Sequence, residues 1–247
     1  MKRWMQNLFL KEIRQAIETY ELIKPGDRIL VGISGGKDSS LLYYALSLLS
    51  QYKIYDFEVV GIMVNHGMMD SVEKHNAFFK AAGAPIILHK ETFKLLSNEI
   101  SPCYTCSRMR KGIIKRHAVE KGFNKIAFGH TKDDVAETFM MNIIKHGKIA
   151  SIPPRTVELE SGLEIIRPLI FLNEKKIISA IEHLEIPIVA STCEHAVHQI
   201  REKSEGLISE IEMTYPEFSD QVIKALGDIN LKRTLVKMAD MPMEEKL

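Results

Sequence analysis

The stretch ILVGISGGKDSSLLYYALSLL, residues 29–49, decides the fold. An apolar run stops at Ser34-Gly35-Gly36-Lys37-Asp38-Ser39, and an apolar pattern with helical spacing follows at once. A strand, a glycine turn and a helix in that order present backbone N–H groups and a helix N-terminus to an anion. Gly35 and Gly36 let the backbone approach closely and take unusual dihedrals. Ser34 and Ser39 can donate to phosphate oxygens, and Lys37 adds a positive charge. Asp38 repels a bare phosphate, so its presence points to Mg²⁺ between the carboxylate and the phosphates. The turn fits neither G-x-x-x-x-G-K-[ST], because Asp38 follows Lys37 and the first glycine is missing, nor G-x-G-x-x-G. A purely structural glycine turn is the competing reading, and the strand and helix on either side weigh against it.

Outward from this turn the chain alternates. Residues 5–22 read as a helix, 27–33 as a buried strand and 38–51 as a helix. FEVVGIMVN (57–65) is a second strand, followed by a helix over 71–83, a third strand over 85–90 and a helix over 106–122. NKIAFGH (124–130) is a fourth strand, and 133–147 a helix. Continuous apolar strands alternating with helices predict an α/β fold, a doubly wound, mainly parallel sheet covered on both faces. After about residue 148 the pattern turns irregular and then forms a short strand. A helix follows over 173–186, an extended segment over 187–193 and helix from about 197 to the end. With no clean linker, the expectation is a single domain over 1–247. It comprises an N-terminal helix (1–24), a nucleotide-binding core (25–150), and an excursion with a helical C-terminal part (151–247).

The 247 residues are 45% hydrophobic and 26% charged, with a net charge of +1. These are ordinary values for a globular protein, without the strong basic excess of one that grips nucleic acid over its whole surface. No apolar run approaches the ~20 residues of a membrane span. The first residues read as an amphipathic helix and lack the apolar core and cleavage site of a signal peptide. Three cysteines cannot pair fully among themselves, so the expectation is a cytoplasmic protein, not bound to membrane, whose cysteines do other work.

FGHTKDDVAET (128–138) clusters His130, Asp133, Asp134 and Glu137 within one strand-to-helix turn. An acidic helix start complements the helix dipole, and Asp133 is the expected cap. Cys103 and Cys106 form a C-x-x-C at a helix start, and Cys193 stands alone. The pair is compatible with a redox couple, half of a zinc site (a Cys₃His site with His195 or His198 among the options) or two packed thiols. Arg167, in IRPL (166–169), reads equally as a phosphate or RNA contact and as a salt-bridged surface residue. Arg108, Arg110, Lys111, Lys115 and Arg116 form a basic run on one predicted helix.

SGGKDS resembles the pyrophosphate-loop (PP-loop) signature of enzymes that cleave ATP between the α and β phosphates. These have an adenine nucleotide alpha hydrolase-like (HUP) fold. PCYTCSRMRKG, GHTKDDVAET, IRPL and a late cysteine, in that order, resemble the tRNA 2-thiocytidine synthetase (TtcA-type) family. The likeness extends from about residue 25 to about 215. It implies a sulfurtransferase that adenylates a cytidine at position 32 of the anticodon loop with ATP and Mg²⁺, then replaces AMP by sulfur. It also implies a [4Fe–4S] cluster on Cys103, Cys106 and Cys193, with one iron left without a cysteine ligand. On this reading Ser34, Gly35, Gly36, Lys37, Asp38, Ser39, Gly129, His130 and Asp134 bind the nucleotide. Asp38 holds Mg²⁺, with Asp134 beside it, and Lys37, Asp38, Cys103 and Cys193 carry the chemistry. The implied partners are tRNA, a sulfur donor such as a cysteine desulfurase, and a second copy in a homodimer.

Two alternatives stand beside this one. The same chemistry could deliver sulfur to another RNA position or a small molecule, which the near-neutral charge favours. A zinc-stabilised or redox-sensing nucleotide-binding protein without catalysis is the second, and the paired acids weigh against it.

Overall fold

The computed structural model describes residues 2–65, 69–91, 102–191 and 199–228. The elements are α1 (Arg3–Met5), a π-helical turn (Gln6–Leu10), α2 (Lys11–Thr19), β1 (Asp27–Ile33), α3 (Lys37–Gln51), β2 (Phe57–Asn65), β3 (Met69–Asp70), α4 (Val72–Ala81), β4 (Ile86–Lys90), α5 (Pro102–Glu120), β5 (Lys125–Ala127), α6 (Lys132–His146), β6 (Arg155–Val157), β7 (Glu164–Ile166), α7 (Glu174–Leu184), β8 (Ala190–Ser191), α8 (Gln199–Thr214) and α9 (Phe218–Gly227). The chain falls into two compact units, Met1–Asp134 with Pro153–Ile200 and Val135–Ile152 with Arg201–Leu247.

The first unit holds a six-stranded sheet in the order β4-β2-β1-β5-β7-β6. The first five strands are mutually parallel, and only β6 runs antiparallel, as a hairpin with β7. This is the expected doubly wound, mainly parallel sheet. The order reverses direction between β1 and β5, and in such sheets ligands bind outside the strands' carboxyl ends at that switch point. Both motifs singled out in the sequence leave the sheet there, one after β1 and one after β5.

The strands are apolar on both sides because both faces are covered. Leu30, Ile62, Val64 and Ile126 pack with Ile113, Ile114 and Ala118 of α5. On β1, α3 covers the strand as well, and α3 in turn contacts α7, which meets the N-terminal π-helical turn. The N-terminal helical stretch contributes Phe9, Leu10, Ile13 and Ile17 to the interior. Segment 187–193 is extended as expected as far as it is described, with Ala190 and Ser191 pairing antiparallel to Met69 and Asp70. Cys193, His195 and His198 lie outside the described residues. Helix α5 begins at Pro102, ahead of the expected residue 106, and so takes both Cys103 and Cys106 into its first turns. Proline suits a first helical position, whose N–H has no helical partner anyway.

The amino edge of the sheet carries a buried ionic staple. Lys125, at the start of β5, meets Asp27 of β1 at 2.9 Å and Glu164 of β7 at 3.1 Å. Its Nζ also donates to the Leu22 carbonyl at 2.9 Å. Asn124 Nδ2 donates to the other Asp27 oxygen at 2.7 Å. Burial by itself raises the Asp27 pKa, but the Lys24 amide, Lys125 and Asn124 together hold it below the ordinary value. The staple joins the starts of the strands on either side of the switch point.

The second unit has its own small core. Ala136, Ile208 and Val222 are buried, with Phe139, Met140, Phe218 and Leu226 packed on them. Pro216, between α8 and α9, separates the two helices by breaking the backbone ladder.

Replacing Lys125 by Met leaves the Asp27 carboxylate buried without its cation. Thermal and urea melts are expected to show a loss of about 3–5 kcal/mol.

Candidate active site

The turn after β1 is closed upon itself. Gly36 N donates to Ser34 Oγ at 3.3 Å, and the Ser34 and Ser39 hydroxyls meet at 3.0 Å. Ser34 N donates to Ser39 Oγ at 3.1 Å, and Ser39 Oγ donates to the Gly36 carbonyl at 3.1 Å. The two serines, expected to face phosphate, shape the turn here. Gly36 caps α3 without a side-chain hydrogen bond, so the first amides of the helix are left to an incoming anion. Gly35 sits at φ +87°, and a Cβ there would come within 2.5 Å of Val189 Cβ. Val189 N donates to the Gly35 carbonyl at 3.0 Å, so the strand leading to β8 runs directly over the turn.

The second motif arrives from the adjacent strand. A Cβ on Gly129 would lie 3.0 Å from the backbone carbon of Asp38 and from Ser39 N. A side chain at 129 would require the first turn of α3 to shift, and glycine lets the end of β5 rest on it unshifted. His130 follows, half-buried, its ring edge-on to Phe128 at 6.2 Å between centroids. The capping differs from expectation. Thr131, not Asp133, caps the start of α6, with Asp134 reaching back to it: Asp134 N donates to Thr131 Oγ1 at 3.2 Å, and Thr131 N donates to Asp134 Oδ2 at 2.8 Å. This is a reciprocal capping box. Asp133 reaches across instead and accepts the Glu174 amide of α7 at 2.8 Å. Thr131, three residues before Asp134, is the sequence signal that identifies the cap.

Lys37 bridges Glu174 at 2.7 Å and Asp38 at 3.4 Å. Burial lowers its pKa, but the two carboxylates outweigh that and the net shift is upward. Asp38 is pushed up to about 6, first by burial and then by the neighbouring carboxylates of Asp134 and Glu174, against the pull of Lys37. Its Oδ1 is buried with no hydrogen-bond partner among the described residues. A buried, unpartnered carboxylate oxygen beside a second carboxylate fits a divalent cation with oxygen ligands. Glu174 is a site residue that the sequence did not single out, because it reaches Lys37 only through the packing of α7 on α3.

Crossover geometry brings the start of α5 to the same edge. A helix joining parallel strands runs against them, so α5, between β4 and β5, begins at the carboxyl edge. Cys103 and Cys106 lie three residues apart there, and Cys106 is half-buried. On the basic run, Lys115 pairs with Glu158, and Lys111 sits over the Phe128 ring at 5.6 Å. Arg108 and Arg116 are exposed and Arg110 half-buried. Arg167 forms no salt bridge among the described residues. Its guanidinium donates to the Pro153 carbonyl at 2.7 Å and to Thr156 Oγ1 at 3.2 Å, which pins the excursion before β6.

The raised Asp38 pKa sets a pH dependence. The folded chain holds the Asp38 proton more tightly than the unfolded chain does, so this group lowers stability as pH rises from 3.8 through about 6. Asp38→Asn is expected to flatten that slope and to raise the neutral-pH melting temperature of the nucleotide-free protein by about 2–6 °C. The same variant should lose Mg²⁺-dependent ATP binding. Melting curves across pH, paired with calorimetric titration, check both outcomes.

Comparison with known proteins agrees with this geometry. A family described as a PP-loop domain matches residues 5–204. A tRNA-cytidine(32) 2-sulfurtransferase of Coxiella burnetii (strain RSA 493 / Nine Mile phase I) is 32% identical over 229 residues, 88% of each chain. Its namesake in Anaeromyxobacter sp. (strain Fw109-5) is 30% identical over 235 residues, 91% of this chain and 77% of the other. Among solved structures, the U34-tRNA thiolase NcsA from Methanococcus maripaludis, with its [4Fe-4S] cluster, shares the fold. It has a TM-score of 0.72 and 24% identity, over 88% of this chain and 76% of the other. The glycine turn after β1, the acid-bearing turn beside it and these extended matches together mean that the chain belongs to the PP-loop family, in its tRNA 2-thiocytidine synthetase (TtcA-type) branch.

Proposed function

We propose that this chain is an ATP-dependent tRNA sulfurtransferase that forms 2-thiocytidine at position 32 of the anticodon loop. The observation that carries the reading is the meeting, at the sheet's switch point, of uncapped α3 amides with the unpartnered oxygen of Asp38. The relatives that match over most of their own length carry that activity in their names.

The pyrophosphate part of ATP binds the amides of Gly35 and the start of α3, on a turn shaped by Ser34, Ser39 and Gly36, whose own amide is held by Ser34 Oγ. Lys37 exchanges the Glu174 carboxylate for phosphate oxygens, one anion for another. Asp38, with Asp134 beside it, holds Mg²⁺, and Gly129 and His130 border the nucleotide. Attack by the cytidine O2 on the α-phosphorus expels pyrophosphate. The amides, Lys37 and the cation stabilise the charge that builds on the phosphates. Sulfur then displaces AMP at C2.

Cys103, Cys106 and Cys193 are the thiolates for a [4Fe–4S] cluster. Three thiolates on a chain with no fourth cysteine suit a cluster with one iron left open, and when bound it supplies a place to hold sulfide. Arg108, Arg110 and Arg116 offer the RNA contacts, since Lys115 and Lys111 are engaged within the protein. A cytoplasmic location, a cysteine desulfurase as sulfur donor and a homodimer complete the reading. No described helix is long and apolar enough to cross a membrane.

Anaerobically reconstituted protein is expected to hold about four irons and to absorb broadly near ~400 nm. Cys193→Ser and Cys106→Ser should each lose the iron and the mass increase of cytidine 32 in tRNA. ATP binding should persist in both variants. Zinc alone in the wild type, or thiolation that survives loss of Cys193, overturns the cluster assignment.

A further inference from the structure

The Gly36 carbonyl collects an unusual number of donors. Ser40 N lies at 3.1 Å, Ser39 Oγ at 3.1 Å and Ser40 Oγ at 2.8 Å. A serine hydroxyl has one proton. With that proton given to Gly36, Ser40 Oγ can only accept from its other neighbour, His75 Nε2, at 2.9 Å. His75 Nε2 is therefore the protonated ring nitrogen, and Nδ1 carries the lone pair. No described residue meets Nδ1, which is buried.

His75 belongs to α4 and is fully buried, its ring against Phe79 at 4.9 Å between centroids. Burial lowers its pKa to about 4, so the ring is neutral near pH 7 and the tautomer persists. Among the described residues one ring nitrogen has no partner, a cost that a phenylalanine would not incur, and the other meets Ser40 Oγ.

The consequence follows from peptide geometry. The C=O of Gly36 and the N–H of Lys37 belong to one planar trans peptide and point in opposite directions. Pinning the carbonyl into α3 aims the amide out of the helix start.

We propose that His75 is a positioning residue for the nucleotide: its Nε2–H holds Ser40 Oγ, which holds the Gly36 carbonyl and so aims the Lys37 amide at the pyrophosphate. This rests on the reading of the turn as the pyrophosphate site.

The test is calorimetric titration of the full chain with Mg²⁺ and the α,β-methylene analogue of ATP. His75→Phe and Ser40→Ala should each weaken binding about tenfold, the worth of one ordered hydrogen bond. The double variant should be no weaker than either single one, because both break the same chain of contacts. His75→Gln, which keeps an N–H at a similar reach, should recover to within about threefold. His75→Phe should melt at or above the wild-type temperature, which separates lost affinity from lost fold. A long-range ¹H–¹⁵N spectrum should show the proton on Nε2. Wild-type affinity in Ser40→Ala and His75→Phe, or effects that simply add, overturns the proposal and leaves the nucleotide site standing. Failure of the wild type to bind the analogue overturns the site reading, and the proposal with it.

Discussion

The site depends on one close approach, the backbone of Gly129 against the first turn of α3. Two segments far apart in sequence each leave a parallel strand at its carboxyl end, and the switch in strand order makes those ends neighbours. Neighbouring is not enough, because a Cβ at 129 would stand 3.0 Å from the Asp38 and Ser39 backbone. The missing side chain lets the second motif settle onto the first, and from that contact follow the meeting of Asp38 with Asp134 and the docking of Asp133 on the α7 amide.

The charges are arranged for a ligand at the expense of stability. Asp38 and Glu174 share one ammonium, Lys37, with the Asp134 carboxylate acting on Asp38 as well, and Asp38 is held at about 6 mainly by its burial. The amino edge of the same sheet shows the opposite design. There Lys125 is enclosed by Asp27, Glu164 and a carbonyl, and the Asp27 carboxylate is stabilised as an anion. This network of paired charges ties strands together at the end of the sheet away from the proposed ligand site. The frustrated one waits at the end where a cation and phosphates would neutralise it.

Hydroxyl groups in the turn build geometry. Ser34 and Ser39 hold each other and take the Gly36 and Ser34 amides, and Ser40 holds the Gly36 carbonyl. The turn is thus ordered before a ligand arrives, so less conformational freedom is lost on binding. His75 extends that ordering one layer deeper, to helix α4, through Ser40.

The sequence alone determined the layered α/β fold, because apolar runs bounded by glycine turns have few ways to bury both faces. It also marked the two turns that hold Gly35, Gly36, Lys37, Asp38, Gly129 and Asp134, which the sheet makes neighbours, since strand–turn–helix motifs are local and legible at fixed offsets. The start of α5 was read late, because C-x-x-C and a preceding proline carry no apolar period. The expected cap Asp133 instead holds the Glu174 amide while Thr131 caps α6, because an acidic helix start fits several local capping patterns and only the position of α7 tells them apart. Glu174, Lys125 and the His75–Ser40 pair were invisible for the same physical reason. Each acts through a partner distant in the chain, and long-range side-chain contacts are set by how helices and strands pack, which no local pattern encodes. Tertiary structure alone decided which carboxylate holds Lys37, which oxygen of Asp38 is left without a partner, and which proton orients the turn.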